Sequence, residues 1–283
     1  MEVCNTDERF DVPKLTMMLD HPAWLRSEDG TARRAFRSAG AVWSVVCTLD
    51  GDGAHNVAID GLSGDTDVPP LVDVIDPGLL AGAPEVCDPL RADGPVGRVR
   101  NPDVWEALGT SVIRQVIRAP QARKLYRAFC TRYGQVVETA VGAVWLFPTA
   151  ETVLALSDDD FADLGMKFFR HGLRAAAEAC RKSADEWAEL PAADLVGAVQ
   201  AVRRIGPWTA GATVADVSND YSLYPFADLA VRTWAQRLAP SVQWPDNERE
   251  FGRTWRAMAG AQLSDWTLLT LAWGVRHATG VAL

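Results

Sequence analysis

Residues 199–212 read VQAVRRIGPWTAGA, and this short run decides how the rest of the chain is parsed. An apolar helix face of Leu195, Val199 and Val202 leads into Arg203-Arg204-Ile205-Gly206. Pro207 then opens a second helix, because its missing N–H and preset φ suit a first helical position. Two helices joined by so tight a glycine turn leave backbone N–H groups unpaired where the second helix starts. With the helix dipole, those donors suit a phosphate. On local spacing alone an ordinary helical hairpin is the favoured reading.

Outward from the hairpin the helical period continues. Trp105, Leu108, Val112, Val116 and Ile117 recur at helix spacing, as do Ala122, Leu125, Tyr126 and Phe129 after Pro120. Ser157-Asp158-Asp159-Asp160 offers an N-cap with an acid three residues on, for a short helix stopped at Gly165. Further helices are expected over 168–182, 191–202, 207–218, 228–238, 247–258 and 264–277. Ahead of Gly97 the pattern differs. Residues 41–49 and 57–59 are apolar, β-branched strands around the turn Asp50-Gly51-Asp52-Gly53, and 61–95, rich in Gly, Pro and Asp, reads as loops and short elements. The expected architecture is mainly α: a small mixed α/β, strand-rich domain over 1–97, then an all-helical domain over 98–283 with its hairpin at about 195–218.

The chain has 283 residues and a net charge of −9, which taken whole argues against a nucleic-acid partner. Segment by segment the picture changes. Residues 1–97 carry 7 Lys+Arg against 17 Asp+Glu, whereas 98–283 carry 21 against 20. Residues 98–132 alone hold a net +6, and 167–182 add Lys167, Arg170, Arg174, Arg181 and Lys182, so a polyanion-binding face is permitted. Apolar runs such as 41–47 and 268–273 fall far short of the roughly 20 residues a membrane helix needs, and the first residues are acidic, so a cytoplasmic protein without membrane contact is expected. Cys4, Cys47, Cys87, Cys130 and Cys180, like the four histidines, are scattered without metal-ligand spacing, and neither a disulfide framework nor a metal site is expected.

Several stretches in order carry a resemblance. Gly206-Pro207-Trp208-Thr209-Ala210 is similar to the helix–hairpin–helix of the HhH-GPD DNA glycosylase superfamily, and most like its 3-methyladenine DNA glycosylase II branch. Upstream, residues 105–108 to 113–116 resemble that family's helix ending in a Gln-containing turn, and Phe147-Pro148-Thr149-Ala150-Glu151 with Leu164-Gly165-Met166 resembles its F-P-T-P and L-G-M stretches. Downstream, residues 224–231 (YPFADLAV) look like the loop that delivers a catalytic aspartate. The similarity spans about residues 100–277, and the strand-rich first part resembles that branch's small β domain more loosely.

The resemblance implies a monofunctional DNA glycosylase acting on double-stranded DNA with damaged, alkylated bases, and a monomer. Asp228, 22 residues after Gly206, becomes the catalytic carboxylate, although an aspartate at a helix start is also an ordinary N-cap. A carboxylate near C1′ stabilises the oxocarbenium-like sugar formed as an N-glycosidic bond breaks. Bifunctional relatives carry a lysine nucleophile where this chain has Trp208, so no lyase step is implied. Trp208 and Gln115 fall in the base pocket, and an indole face suits a planar cationic purine. Val116 falls at the wedge that fills the gap left by a flipped base, while Arg204, Ile205, Gly206 and Thr209 form the DNA-binding hairpin. No cofactor is implied beyond a monovalent cation that relatives hold at the hairpin. The chain departs from the pattern at Arg203 and Arg204, in place of a proline and a glycine, and at Arg114, in place of a glycine. Arg204 either blocks the turn or adds a phosphate contact. The departures keep two other readings open, a non-catalytic lesion-binding module and a glycosidase of free nucleosides.

Overall fold

The computed structural model describes residues 5–6, 14–38, 40–51, 53–65 and 67–278, and Cys4 lies outside them. The first strands are β1 (Asn5–Thr6), β2 (Thr16–Met17), β3 (Leu25–Arg26), β4 (Ala32–Ser38), β5 (Ala41–Leu49) and β6 (His55–Ser63). Five of them form an antiparallel sheet in the order β1-β6-β5-β4-β3, with Ala35 opposite Ser44 and Val45 opposite Ile59. Period-2 alternation along β5 turns Trp43, Val45 and Cys47 onto the face that packs Phe36, Ile59, Leu15 and Trp24. Two further strands, β7 (Val72–Ile75) and β8 (Val96–Val99), join β2 in a small mixed sheet.

Between β7 and β8 lies α1 (Pro84–Asp93), a ten-residue helix where loops and short elements were expected. Pro89 inside it masks the helical period. Its buried Val86, Cys87 and Leu90 join the core built by Trp234, Trp255 and Trp266, so the first third of the chain and the last share one interior.

The helices that follow are α2 (Val104–Arg114), α3 (Ala119–Tyr133), α4 (Ala150–Ala155), α5 (Asp158–Asp163), α6 (Arg170–Ala188), α7 (Ala192–Gln200), α8 (Pro207–Ser218), α9 (Leu229–Leu238), α10 (Glu248–Ala259) and α11 (Leu263–His277). None of the described helices is long and apolar enough to cross a membrane. The expected capping box closes α5, with Ser157 and Asp160 exchanging bonds. One expectation is corrected: this part is not all-helical. Strands β9 (Val136–Thr139) and β10 (Gly142–Trp145) form a hairpin after α3, and Val144 packs with Ala35 and Leu146 against the large sheet. Its short alternation, VVET and GAVW, was hidden between two strong helical periods.

Helix α8 is the centre of the molecule, buried from Thr209 to Asp216. Ala210 and Val214 belong to a core with Leu108, Phe129, Phe147 and Leu173, and Ala212 and Ala215 belong to the tryptophan-rich core. Its one charged residue, Asp216, is met by Arg98 of β8, which is 3% exposed. Arg98 Nη2 lies 2.6 Å from Asp216 Oδ1, and its Nη1 donates to Asn219 Oδ1 at 2.6 Å. Asn101 Nδ2 donates to the second Asp216 oxygen at 2.9 Å. Asn219 Nδ2 in turn donates to Asp73, which Arg100 grips through both oxygens at 2.6 and 2.8 Å. Burial alone would raise the Asp216 pKa, but Arg98, with His21 and Arg34 nearby, overrides it and holds the carboxyl well below its ordinary range.

This knot narrows the basic count of residues 98–132. Arg98 is buried, Arg100 is paired with Asp73, and Arg127 donates to the carbonyls of Pro22 and Trp24 at 3.2 and 2.6 Å. Arg118, Arg123, Lys124 and Arg132 remain exposed. Removing Arg98 by Arg98→Met leaves a buried, uncompensated carboxylate. We expect a loss of about 3–5 kcal/mol in urea unfolding; a variant as stable as the parent would show that the pair does not bind the two parts together.

Candidate active site

The hairpin forms between α7 and α8. Ile205, whose N–H bonds Val202 O at 3.0 Å, is buried among Val199 and Ala210 and anchors the turn. Arg204 takes the left-handed conformation itself, with φ 72°. The turn therefore survives the loss of its glycine, at a strain of roughly 1–2 kcal/mol. Gly206 is the N-cap of α8, with φ −88° and ψ 173°, and offers no side chain to the first turn. A Cβ placed on it would meet nothing within 4 Å, so the space in front of the helix start is open to an approaching backbone. Ala210 N–H closes the first helical bond, to Gly206 O at 3.0 Å; the N–H groups of Trp208 and Thr209 precede it and have no intrahelical acceptor.

The turn after α2 faces this helix start. Gln115 ends α2, and Thr209 Oγ1 donates to its Oε1 at 3.2 Å, so two residues 94 positions apart meet. Val116, next along, has φ 57° and is 80% exposed. A β-branched residue in the left-handed region is a true outlier, and here the strain holds an apolar side chain out in solvent.

The third component is the loop from α8 to α9. A Cβ on Gly211 would stand 2.5 Å from Leu223 O, so only glycine lets this loop lie directly on α8, one turn beyond Trp208. Ser222 N–H bonds Asp220 Oδ1 at 2.9 Å, and Ser264 Oγ accepts from Tyr221 N–H at 2.9 Å, fixing the loop to α11. Phe226 and Ala227 pack on the tryptophan-rich core, as does half-buried Trp208. The residues just ahead of Asp228 and the indole of Trp208 thus rest on the same core.

Asp228 occupies the N-cap position of α9 yet makes no side-chain capping bond. An aspartate there ordinarily stabilises its helix by about 1 kcal/mol. Instead its Oδ2 accepts from the Tyr224 hydroxyl at 3.0 Å. Tyr224 is 6% exposed and stacks on Tyr221, with centroids 5.4 Å apart. Burial first, and then the Asp228 charge, push its phenol well above the ordinary tyrosine range, so it stays protonated and donates. Arg114, half-buried, adds positive charge beside Tyr224: burial alone would lower its pKa, but Tyr224, Asp20 and Asp216 raise it.

Sequence reading named Asp228, Trp208, Gln115, Val116 and the hairpin but missed Tyr224 and Gly211. Tyr224 stands one helical turn ahead of Asp228 in a Tyr-Pro turn, and that spacing is the signal that was there to read. Trp273 faces Trp234 at 6.4 Å and stacks on His277 at 4.6 Å. Among the described residues no group of three or more His, Cys, Asp or Glu side chains is arranged to hold a metal.

No protein-family model matches the chain. A curated relative, the DNA-3-methyladenine glycosylase of Bacillus subtilis (strain 168), is 25% identical over 134 residues, 46% of this chain; the match spans 44% of that relative's length. Among solved structures, MBOgg1 bound to a low-affinity DNA ligand superposes with a TM-score of 0.69 at 15% identity, over 98% of this chain and 99% of that one. The 8-oxoguanine glycosylase/lyase of Clostridium acetobutylicum, in complex with double-stranded DNA, gives 0.67 at 14% identity over 92% and 90%. The 3-methyladenine DNA glycosylase of Archaeoglobus fulgidus gives 0.66 at 19% identity over 92% and 91%. The chain therefore has the fold of these glycosylases, and the resemblance drawn from its motifs holds.

The strained turn yields a stability prediction. Arg204→Gly keeps the left-handed turn without its steric cost, so the variant gains about 1 kcal/mol and its Tm rises by a few degrees; an unchanged or lower Tm in scanning calorimetry would show that Arg204 carries no strain.

Proposed function

We propose that this chain, folded as a helix–hairpin–helix DNA glycosylase, hydrolyses the N-glycosidic bond of a damaged base flipped out of duplex DNA and leaves an abasic site for base excision repair. The observation that carries the reading is the carboxylate of Asp228, which sits at a helix start, forgoes the cap bond and is held by Tyr224. The open helix start at Gly206, its free N–H groups and the exposed Arg204 side chain receive the duplex backbone. Val116 fills the gap in the stack, and Gln115, tied to Thr209, sits just behind it. The half-buried indole of Trp208 suits an alkylated purine, whose positive charge gains about 1–2 kcal/mol on a desolvated aromatic face.

A cationic base leaves as a neutral molecule, so the reaction needs no general acid. As the bond from C1′ to nitrogen breaks, Asp228 stabilises the positive sugar and orients the water that adds to C1′, and the water's proton passes to the carboxylate and on to solvent. No lysine follows Lys182 in the chain, which supports hydrolysis without an imine and without strand cleavage. We place the protein in the cytoplasm as a monomer.

Methylated duplex DNA incubated with the protein should release methylpurines and leave abasic strands that stay intact until heated in alkali. Asp228→Asn should lower the rate by about 100-fold or more, and Trp208→Ala should lower kcat/KM by about 5- to 30-fold. Equal release by Asp228→Asn would remove the carboxylate from the chemistry. Salt-sensitive binding without release would instead identify a lesion-binding module, hydrolysis of free nucleosides alone a nucleosidase, and strand breaks a lyase.

A further inference from the structure

We infer that Tyr224 is the positioning residue of this site: its hydroxyl holds one oxygen of Asp228, turns the carboxylate away from the α9 N–H groups, and leaves the other oxygen for the reacting sugar. The inference rests on the glycosylase reading of Asp228 and deepens it. A buried tyrosine always finds some hydrogen-bond acceptor, so the bond alone says little. What singles it out is what Asp228 gives up. With φ −56° and ψ 152° its backbone is placed as a helix N-cap, yet the side chain bonds the phenol at 3.0 Å instead of its own helix.

The phenol is itself immobilised. Its ring is 6% exposed, stacks on Tyr221 with an interplanar angle of 28°, and lies in the core formed by Val231, Trp234 and Leu268. The hydroxyl therefore has one place to be, and the loop that carries both residues is pressed onto α8 at Gly211. Charged and titratable groups face Tyr224 from each side: Asp228 in its own loop, Tyr221 below its ring and Arg114 from α2. Arg114 polarises the phenolic O–H and strengthens its donation, while Asp20 and Asp216 stand behind that guanidinium.

Tyr224→Phe keeps the ring, its stacking and its packing and removes only the donor. Two readouts then separate a positioning role from a structural one. In a 13C carboxyl spectrum at neutral pH, with the Asp228 signal assigned by its loss in Asp228→Asn, the variant should show that signal displaced from its position in the parent. On methylated duplex DNA, kcat should fall about tenfold with KM unchanged. Replacing Tyr224 by 3-fluorotyrosine, which keeps a donor on a ring of nearly the same size, should hold kcat near the parent's and covers the case in which the Phe variant folds poorly. An Asp228 signal unmoved in Tyr224→Phe, or a kcat equal to the parent's in that variant, overturns the inference. Absence of base release by the parent protein overturns the glycosylase reading instead, and the carboxyl spectrum still decides whether Tyr224 holds Asp228.

Discussion

Helix α8 lies at the centre of the molecule with a carboxylate inside it, and that is tolerated only because Arg98 reaches from β8 to meet Asp216 at 2.6 Å. A lone buried charge of this kind would cost several kcal/mol, and the attraction offsets it only when the remaining lone pairs are also bonded. Asn101 fills one, and Asn219 holds Arg98 and Asp73 in line. Because the cation comes from a strand of the small mixed sheet and the anion from the hairpin's second helix, the pair ties the strand-rich part to the helical part. The tryptophan-rich core does the same with apolar atoms, through α1.

With α8 fixed, the rest of the site follows from its two ends and one small residue. Its start, free of any side-chain cap, presents N–H groups to the exterior beside Arg204. Thr209, in its first turn, takes hold of Gln115 and thereby sets the turn that pushes Val116 into solvent. Gly211 admits the loop that brings Tyr224 and Asp228 alongside. Strain collects at the same place: Val116 and Arg204 both hold left-handed backbone on this face. Such strain persists only where the surroundings over-determine it, and here the surroundings are the two cores that grip α8.

Much of the fold was legible in order of residues. The α8 bounds, the β5 bounds and the position of Asp228 immediately ahead of α9 follow from Pro207, from nine apolar or small residues in a row and from the Asp-Leu boundary. Helix α1 and the β9–β10 hairpin were not legible: the first carries a proline inside it, and the second alternates over only four residues a side, too few to stand out between strong helical periods. Segmental charge told only part of the story, for a physical reason as well. Counting Lys and Arg says nothing about which of them are spent on Asp216, Asp73 or backbone carbonyls inside the protein.

In the candidate site, the resemblance of its motifs to a glycosylase hairpin named an aspartate 22 positions after the hairpin glycine, an indole in the first turn of α8 and a glutamine ahead of an apolar wedge, where spacing alone read a helical hairpin and an N-cap. What spacing supplied were local properties, set by propensity and by the geometry of a helix start. Whether Asp228 would serve its own helix or something else was not local. The cap bond and the Tyr224 bond compete for one carboxylate, and the balance is set by how closely the loop packs on Gly211 and by how deeply the phenol is buried. Likewise, Arg204 could be read as an obstacle or a contact until the fold placed it in the left-handed turn with its side chain exposed. Such choices turn on contacts between residues far apart in the chain, whose energies no stretch of sequence carries alone.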